Sequence, residues 1–256
     1  MQQVSVLFLR TKDHSFQSLK IGGFALMASF LLLCSSNGFS QSGSGVVTQT
    51  RDVTGFTGIS LDIHADMSIS QSNNFFVEIQ AKQEVLDQIL TEKKGSDLVI
   101  KYKSNKWHMT GENPVKITVH LPKLNDLEIN GSGNVTAQSG FSTDKLSIEV
   151  NGSGDLKMKG VSASSLSAEV NGSGDIGELT GSVEQLNLMV NGSGDINAEG
   201  VASKSAAASI AGSGDIAVGT SSDLKVEIAG SGDVYYKGNP SSISKDIVGS
   251  GKISQR

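Results

Sequence analysis

The 256-residue chain is poor in the residues that staple, grip or stack. It has a single cysteine, Cys34, and one tryptophan, and only 5% of its residues are aromatic. Cys34 lies in a segment read below as a leader, so the product carries no thiol. Disulfides and cysteine metal centres are thereby excluded, and stability has to come from packing. Arginine survives in the product only at Arg51 and Arg256, which leaves few means of gripping phosphate or carboxylate by paired hydrogen bonds. Basic charge is short as well. Beyond residue 40 there are 18 lysines and arginines against 25 aspartates and glutamates, a formal −7, and such a chain is a poor partner for nucleic acid.

Long apolar runs are also missing. The run from Ile21 to Leu33 is too short to span a bilayer and follows Arg10, Lys12 and Lys20, the pattern of a signal peptide over residues 1–40. Small residues at Gly38 and Ser40 place cleavage between Ser40 and Gln41, and residues 41–47 then read as a short linker. The alternative is a lipid anchor on Cys34, which closes the apolar run; Leu33 before it is bulkier than that processing normally needs.

What the sequence does have is repetition. Gly-Ser-Gly begins at Gly131, Gly152, Gly172, Gly192, Gly212, Gly230 and Gly249, spaced by 21, 20, 20, 20, 18 and 19 residues. A period of this size means one small unit per repeat, unable to bury its apolar face without stacked neighbours. Ahead of each motif apolar residues alternate with mostly polar ones, as in Leu146, Ile148, Val150 and Leu166, Ala168, Val170; period two is the signature of a strand with one wet face. A second short strand opens after each motif at Leu156, Ile176, Ile196, Ile216, Val234 and Ile253. Twenty extended residues trace at most about 66 Å, a perimeter for one narrow column of side chains. The reading is an all-β, single-stranded β-helix with coils of about 20 residues and Asn-Gly-Ser-Gly-Asp turns. The alternative is an antiparallel meander, since the Asn-Gly pairs at Asn130, Asn151, Asn171 and Asn191 suit hairpins. The near-identity of successive motifs favours stacking.

Residues 48–126 lack the motif and form a less regular β-rich part of a domain spanning 48–256, with the repeats over 127–256. Within it Val85, Leu86, Ile89 and Leu90 fall at helical spacing before Gly95, which predicts one short helix. In the last copy Lys245 takes an inward position and Lys252 stands where the other copies have aspartate; charge there guards an exposed edge.

The run Arg51-Asp52-Val53-Thr54-Gly55-Phe56-Thr57-Gly58-Ile59, followed by Pro122-Lys123-Leu124-Asn125-Asp126-Leu127-Glu128-Ile129-Asn130-Gly131-Ser132-Gly133, resembles the putative auto-transporter adhesin, head GIN domain family over about residues 48–250. The resemblance implies a β-helical fold in exported proteins typical of the Bacteroidetes, and a role as an adhesin. Nothing after the repeats reads as a membrane barrel, so literal autotransport is not expected.

Behind Gly-Ser-Gly runs a column of acids, Asp155, Asp175, Asp195, Asp215 and Asp233, with Asn134 at its start. Stacked coils would set neighbours about 4.8 Å apart, where like charges repel by roughly 1 kcal/mol in water and about 3 to 4 at an effective dielectric of 20. The column is therefore either wet or holds cations, for which Ca²⁺ is the fitting ion. The simpler expectation is that each aspartate accepts N–H groups of its own turn. No catalytic residue or cofactor is assigned: His64, His108 and His120 are scattered with no motif around them. Trp107, beside His108 and Met109, is a possible partner anchor in a polar loop. The expected function is that of an exported, non-enzymatic envelope protein, in the periplasm, on the outer membrane or outside the cell, that meets a surface glycan or protein through a repetitive face. A polysaccharide-acting enzyme on a β-helix is the alternative, weakened by the scarcity of arginine and aromatic rings.

Overall fold

Alternating residues become strands because each coil can bury its apolar side only against the next. The computed structural model describes residues 45–104, 114–138, 140–219 and 221–256. In the repeats the strands Asp126–Gly131, Ser142–Gly152, Val161–Gly172, Thr180–Gly192, Ser205–Gly212, Asp223–Gly230 and Ser242–Gly249 stack in parallel as the long-strand sheet. The short strands Asn134–Ala137, Leu156–Met158, Ile176–Gly177, Ile196–Ala198, Ile216–Val218, Val234–Tyr236 and Ile253–Gln255 stack likewise as the short-strand sheet. The chain forms the expected β-solenoid and not the meander.

Register follows the sequence repeat. Val150, Val170, Val190, Ile210, Ile228 and Ile247 pair in series, as do Leu146, Leu166, Leu186, Ala206, Leu224 and Ile243. Opposite them, Val135, Leu156, Ile176, Ile196, Ile216 and Val234 are all buried. Two rows of aliphatic side chains thus face each other across one narrow core, each residue contributing roughly 1.5 to 3 kcal/mol on burial.

The two glycines of each motif differ in backbone conformation but, from the second copy on, both approach the preceding coil too closely for a Cβ. The first takes a positive φ, from 127° at Gly131 to 144° at Gly192, Gly212 and Gly230, a conformation that side chains resist. The second is excluded from carrying a side chain by its neighbours: a Cβ on Gly194 would run into the Gly174 carbonyl oxygen.

The N-terminal part continues both sheets instead of standing apart. Gly58–Leu61 pairs in parallel with Asp126–Gly131 on one side and with Asp97–Tyr102 on the other, while Asp66–Gln71 pairs in parallel with Asn134–Ala137 and with Lys116–Leu121. Direction then reverses. Phe76–Lys82 lies antiparallel to both Lys116–Leu121 and Val46–Thr50, and Ile89–Lys94 closes the long-strand sheet antiparallel to Asp97–Tyr102. The predicted helix shrinks to Gln83–Leu86; Ile89 and Leu90 belong to a strand. Gly95, expected as a helix stop, instead occupies a two-residue hairpin loop at φ 60°. Four apolar residues in a charged segment fit both periods, and pairing with Asp97–Tyr102 decides for the strand.

The C-terminal coil has no such cover. Lys245 pairs with Val226 at the inward register, where earlier coils hold Ile148, Ala168, Leu188 and Ala208, and it is exposed. The Arg256 guanidinium lies 3.8 Å from the centre of the Tyr235 ring, a cation–π contact that pins the chain end.

Candidate interaction surface

The turn column is built from one edge of the solenoid. Asp155, Asp175, Asp195, Asp215 and Asp233 stack as expected, but the backbone N–H groups they accept belong to the next turn and not to their own. The Oδ1 of Asp155 accepts the backbone N–H of Asp175 at 3.1 Å, and the pattern continues from Asp195 to Asp175 at 2.8 Å, Asp215 to Asp195 at 2.7 Å and Asp233 to Asp215 at 2.7 Å. Lys252 ends the series by donating its N–H to Asp233 at 2.8 Å, and Asn134 begins it by donating Nδ2 to Asp66 at 3.2 Å. Parallel in-register stacking explains the difference, because it places the next coil's N–H directly above each carboxylate. Such charge-assisted bonds are worth about 1.5 to 3 kcal/mol each, enough to offset the wet repulsion of neighbours. Among the described residues no group of three or more histidine, cysteine, aspartate or glutamate side chains is arranged to hold a metal ion.

A second column was read in sequence only as turn chemistry. Asn151 donates Nδ2 to the Oδ1 of Asn130 at 3.0 Å, Asn171 to Asn151 at 3.1 Å and Asn191 to Asn171 at 2.9 Å. The ladder is anchored where Asn130 donates to the Asp62 carboxylate at 2.8 Å, which also accepts from Ser60 at 2.9 Å. It runs in one direction, every amide donating toward Asp62, and it stops at Asn191 because Ala211 follows. The sequence signal was there: four asparagines at the repeat spacing, at a position where stacking puts like amides within bonding reach.

Beside the ladder Glu128, Glu149 and Glu169 share the outer face of the long-strand sheet. Partial burial, then repulsion from Asp97, Glu128 and Glu149, raises the carboxyl pKa of Asp126 above the usual range. Farther along, the amide column becomes small or apolar at Ala211, Ala229 and Val248, which is 69% exposed, while the acid column is interrupted at Met189 and Ser209 and resumes at Glu227 and Asp246. An open groove of about 560 Å³ on this sheet is lined mainly by serine and threonine.

The remaining candidates are not brought together. The Nδ1 of His64 lies 3.0 Å from the Ser132 carbonyl oxygen and 3.1 Å from its hydroxyl, and His120 packs its ring 5.3 Å from that of Phe76. His64 lies at the corner between Gly58–Leu61 and Asp66–Gln71, and His120 on the strand Lys116–Leu121. Cys34, the Ser40–Gln41 bond, Trp107, His108 and Met109 lie outside the described residues. No described helix is long and apolar enough to cross a membrane.

Residues 55–240 match the family described as putative auto-transporter adhesin, head GIN domain. No functionally curated protein matches the chain. Among solved structures, a putative adhesin from Bacteroides fragilis is similar at a TM-score of 0.79 and 26% identity, over 83% of this chain and 98% of its own. A putative lipid binding protein from Parabacteroides distasonis is similar at 0.66 and 27%, over 84% and 98%. A putative adhesin from the same species, at 0.67 and 22% over 84% and 98%, shares the fold.

Proposed function

The chain belongs to the putative auto-transporter adhesin, head GIN domain family, and from that premise we propose that it is an exported, non-enzymatic envelope protein that holds a surface glycan or protein through the outside of its solenoid. The observation that carries the reading is the outer surface itself: repeated columns of asparagine, glutamate, serine and aspartate displayed over successive coils, with the core filled by side chains. Such a surface offers many equivalent shallow contacts and suits multivalent attachment. An enzyme is disfavoured because the described histidines lie apart and the carboxylates lie in columns bonded to backbone and amide groups.

Export follows from the leader, with removal after Ser40 as the favoured processing and lipidation of Cys34 as the alternative. Mass spectrometry of the protein recovered from the cell envelope distinguishes them: a product beginning at Gln41 is expected, and a diacylated N-terminal cysteine overturns that choice. The function is tested by exposing the purified protein to arrays of envelope glycans and extracellular proteins and assaying it for polysaccharide cleavage. Saturable binding without turnover supports the reading; cleavage that depends on one carboxylate sinks it.

A further inference from the structure

The pairing of the long-strand sheet is interrupted at one repeated position. In-register pairing between Ser142–Gly152 and Val161–Gly172 passes from Thr143↔Ala163 to Lys145↔Ser165, omitting Asp144 and Ser164. The next pair of coils repeats the omission, at Ser164 and Glu184. Pairing breaks at that point in four successive coils, the last between Ala202 and Ser205, and residues around these breaks line the groove of about 560 Å³, which therefore runs along the solenoid axis and crosses the strands. Hydroxyls dominate its walls, from Ser142, Thr143, Ser162, Ser164, Ser182 and Ser203. The Oγ of Ser203 is shielded from solvent and has no hydrogen-bond partner.

Resting on the reading of this protein as a surface-binding module, we propose that the groove is a carbohydrate subsite for an extended, uncharged, polyhydroxylated chain laid along the axis, one sugar to a coil. Charge argues for a neutral ligand. The only ionised side chains lining the groove are Glu184 and Lys204, paired at 2.8 Å, so they cancel. Orientation argues against an added peptide strand: the groove crosses strands that are already paired on both sides, so no free edge is offered for strand addition. Its apolar lining is limited to small or buried groups, Ala163, Val183 and Ala202, which gives a hydrophobic side chain no deep seat. Hydroxyl donors and acceptors recurring about every 4.8 Å match in scale the advance per residue of an extended β-linked sugar chain. An orphan hydroxyl such as Ser203 gains a partner only when something polar fills the space.

The groove lacks a stacking ring, the usual source of affinity for a single sugar. Binding therefore accumulates from hydrogen bonds over successive residues, and affinity depends on length. Neutral β-1,4-linked glucan, mannan and xylan oligosaccharides of two to eight units, titrated calorimetrically into the purified protein, are expected to bind more tightly with each unit up to about four, the number of coils the groove crosses, and then to level off. Ser162→Arg and Ser182→Lys fill the groove from exposed positions and are expected to weaken the best ligand at least tenfold. Ser254→Arg, on the other sheet, leaves it unchanged. Circular dichroism and thermal melting confirm that each variant is folded, and Ser182→Ala provides a milder lesion should a bulky one perturb the coil. The proposal is overturned if none of these oligosaccharides binds, if binding lacks length dependence, or if folded groove variants bind as well as the parent. Binding only to a protein or a charged glycan overturns the neutral-chain site and leaves the surface-binding reading standing, whereas no binding to any arrayed ligand removes both.

Discussion

The repeat coils and the N-terminal part build the same two sheets by different means. Each repeat coil obtains nearly all its partners from the coil before and the coil after, with equivalent repeat positions facing one another across the ladders. The N-terminal part gathers partners from afar: Gly58–Leu61 sits between strands about 40 and 70 residues downstream, Phe56 stacks 5.0 Å from Phe75, and Arg51 reaches the Leu86 carbonyl at 3.3 Å. The difference teaches that a repetitive stack still needs one non-repetitive end, where antiparallel strands close the core that parallel stacking leaves open.

That comparison can be broken in several places, and the largest effect is expected in the cap. Phe56 is fully buried, and Phe56→Ala should cost about 3 to 5 kcal/mol, read by urea unfolding. A single transition shifted to lower urea is expected; a second transition at the parent's midpoint would mean that the repeats fold without their cap. Gly194→Ala should cost about 3 kcal/mol because the new Cβ meets a neighbouring carbonyl. Gly95→Ala, in open space at φ 60°, should cost only about 1 to 2, and equal losses would deny the close stacking its special role. Asn171→Ala interrupts the amide ladder on both sides and should cost about 1 to 2 kcal/mol, with Asn191→Ala, the last rung, costing less in the same thermal melts.

Smaller effects sharpen the picture of the charged face. The carboxyl of Asp126 titrates above its ordinary value in the folded protein, so the folded state binds the proton more tightly than the unfolded chain, and stability falls as pH rises through that raised pKa. Asp126→Asn should therefore raise Tm at pH 7, and the gain should shrink as the solution is acidified; a gain constant with pH would point to another cause. Smallest of all, millimolar Ca²⁺ should leave Tm unchanged, because the aspartate column is already engaged by N–H donors. A clear upward shift would establish a cation site there.

Much of the repeat half was legible in advance because one signal, apolar alternation locked to a recurring Gly-Ser-Gly, specifies strand, facing and register together. The position of Lys245 could be read the same way. Less legible were features that depend on what lies across the ladder. The destination of the aspartate and asparagine hydrogen bonds depends on stacking geometry, which local turn chemistry does not contain. The segment around Ile89 and Leu90 is too short for its periodicity to separate helix from strand, and its partner lies beyond a two-residue turn. The groove was invisible for a related reason: Asp144, Ser164, Glu184 and Lys204 share a position but not a residue type, so a break in pairing common to four coils leaves no motif.

The interval from Gly212 to Gly230 is 18 residues against 20 for the one before it, yet Gly230 still pairs with Gly212 and Asp223 with Ser205. The two residues are lost between Val218 and Asp223, where the strand Gly200–Ala202 of the previous coil has no paired continuation among the described residues, while Ile216–Val218 and Asp223–Gly230 keep their register. A change in coil length is thus absorbed at one corner, so the alignment of the displayed columns does not depend on a constant repeat length.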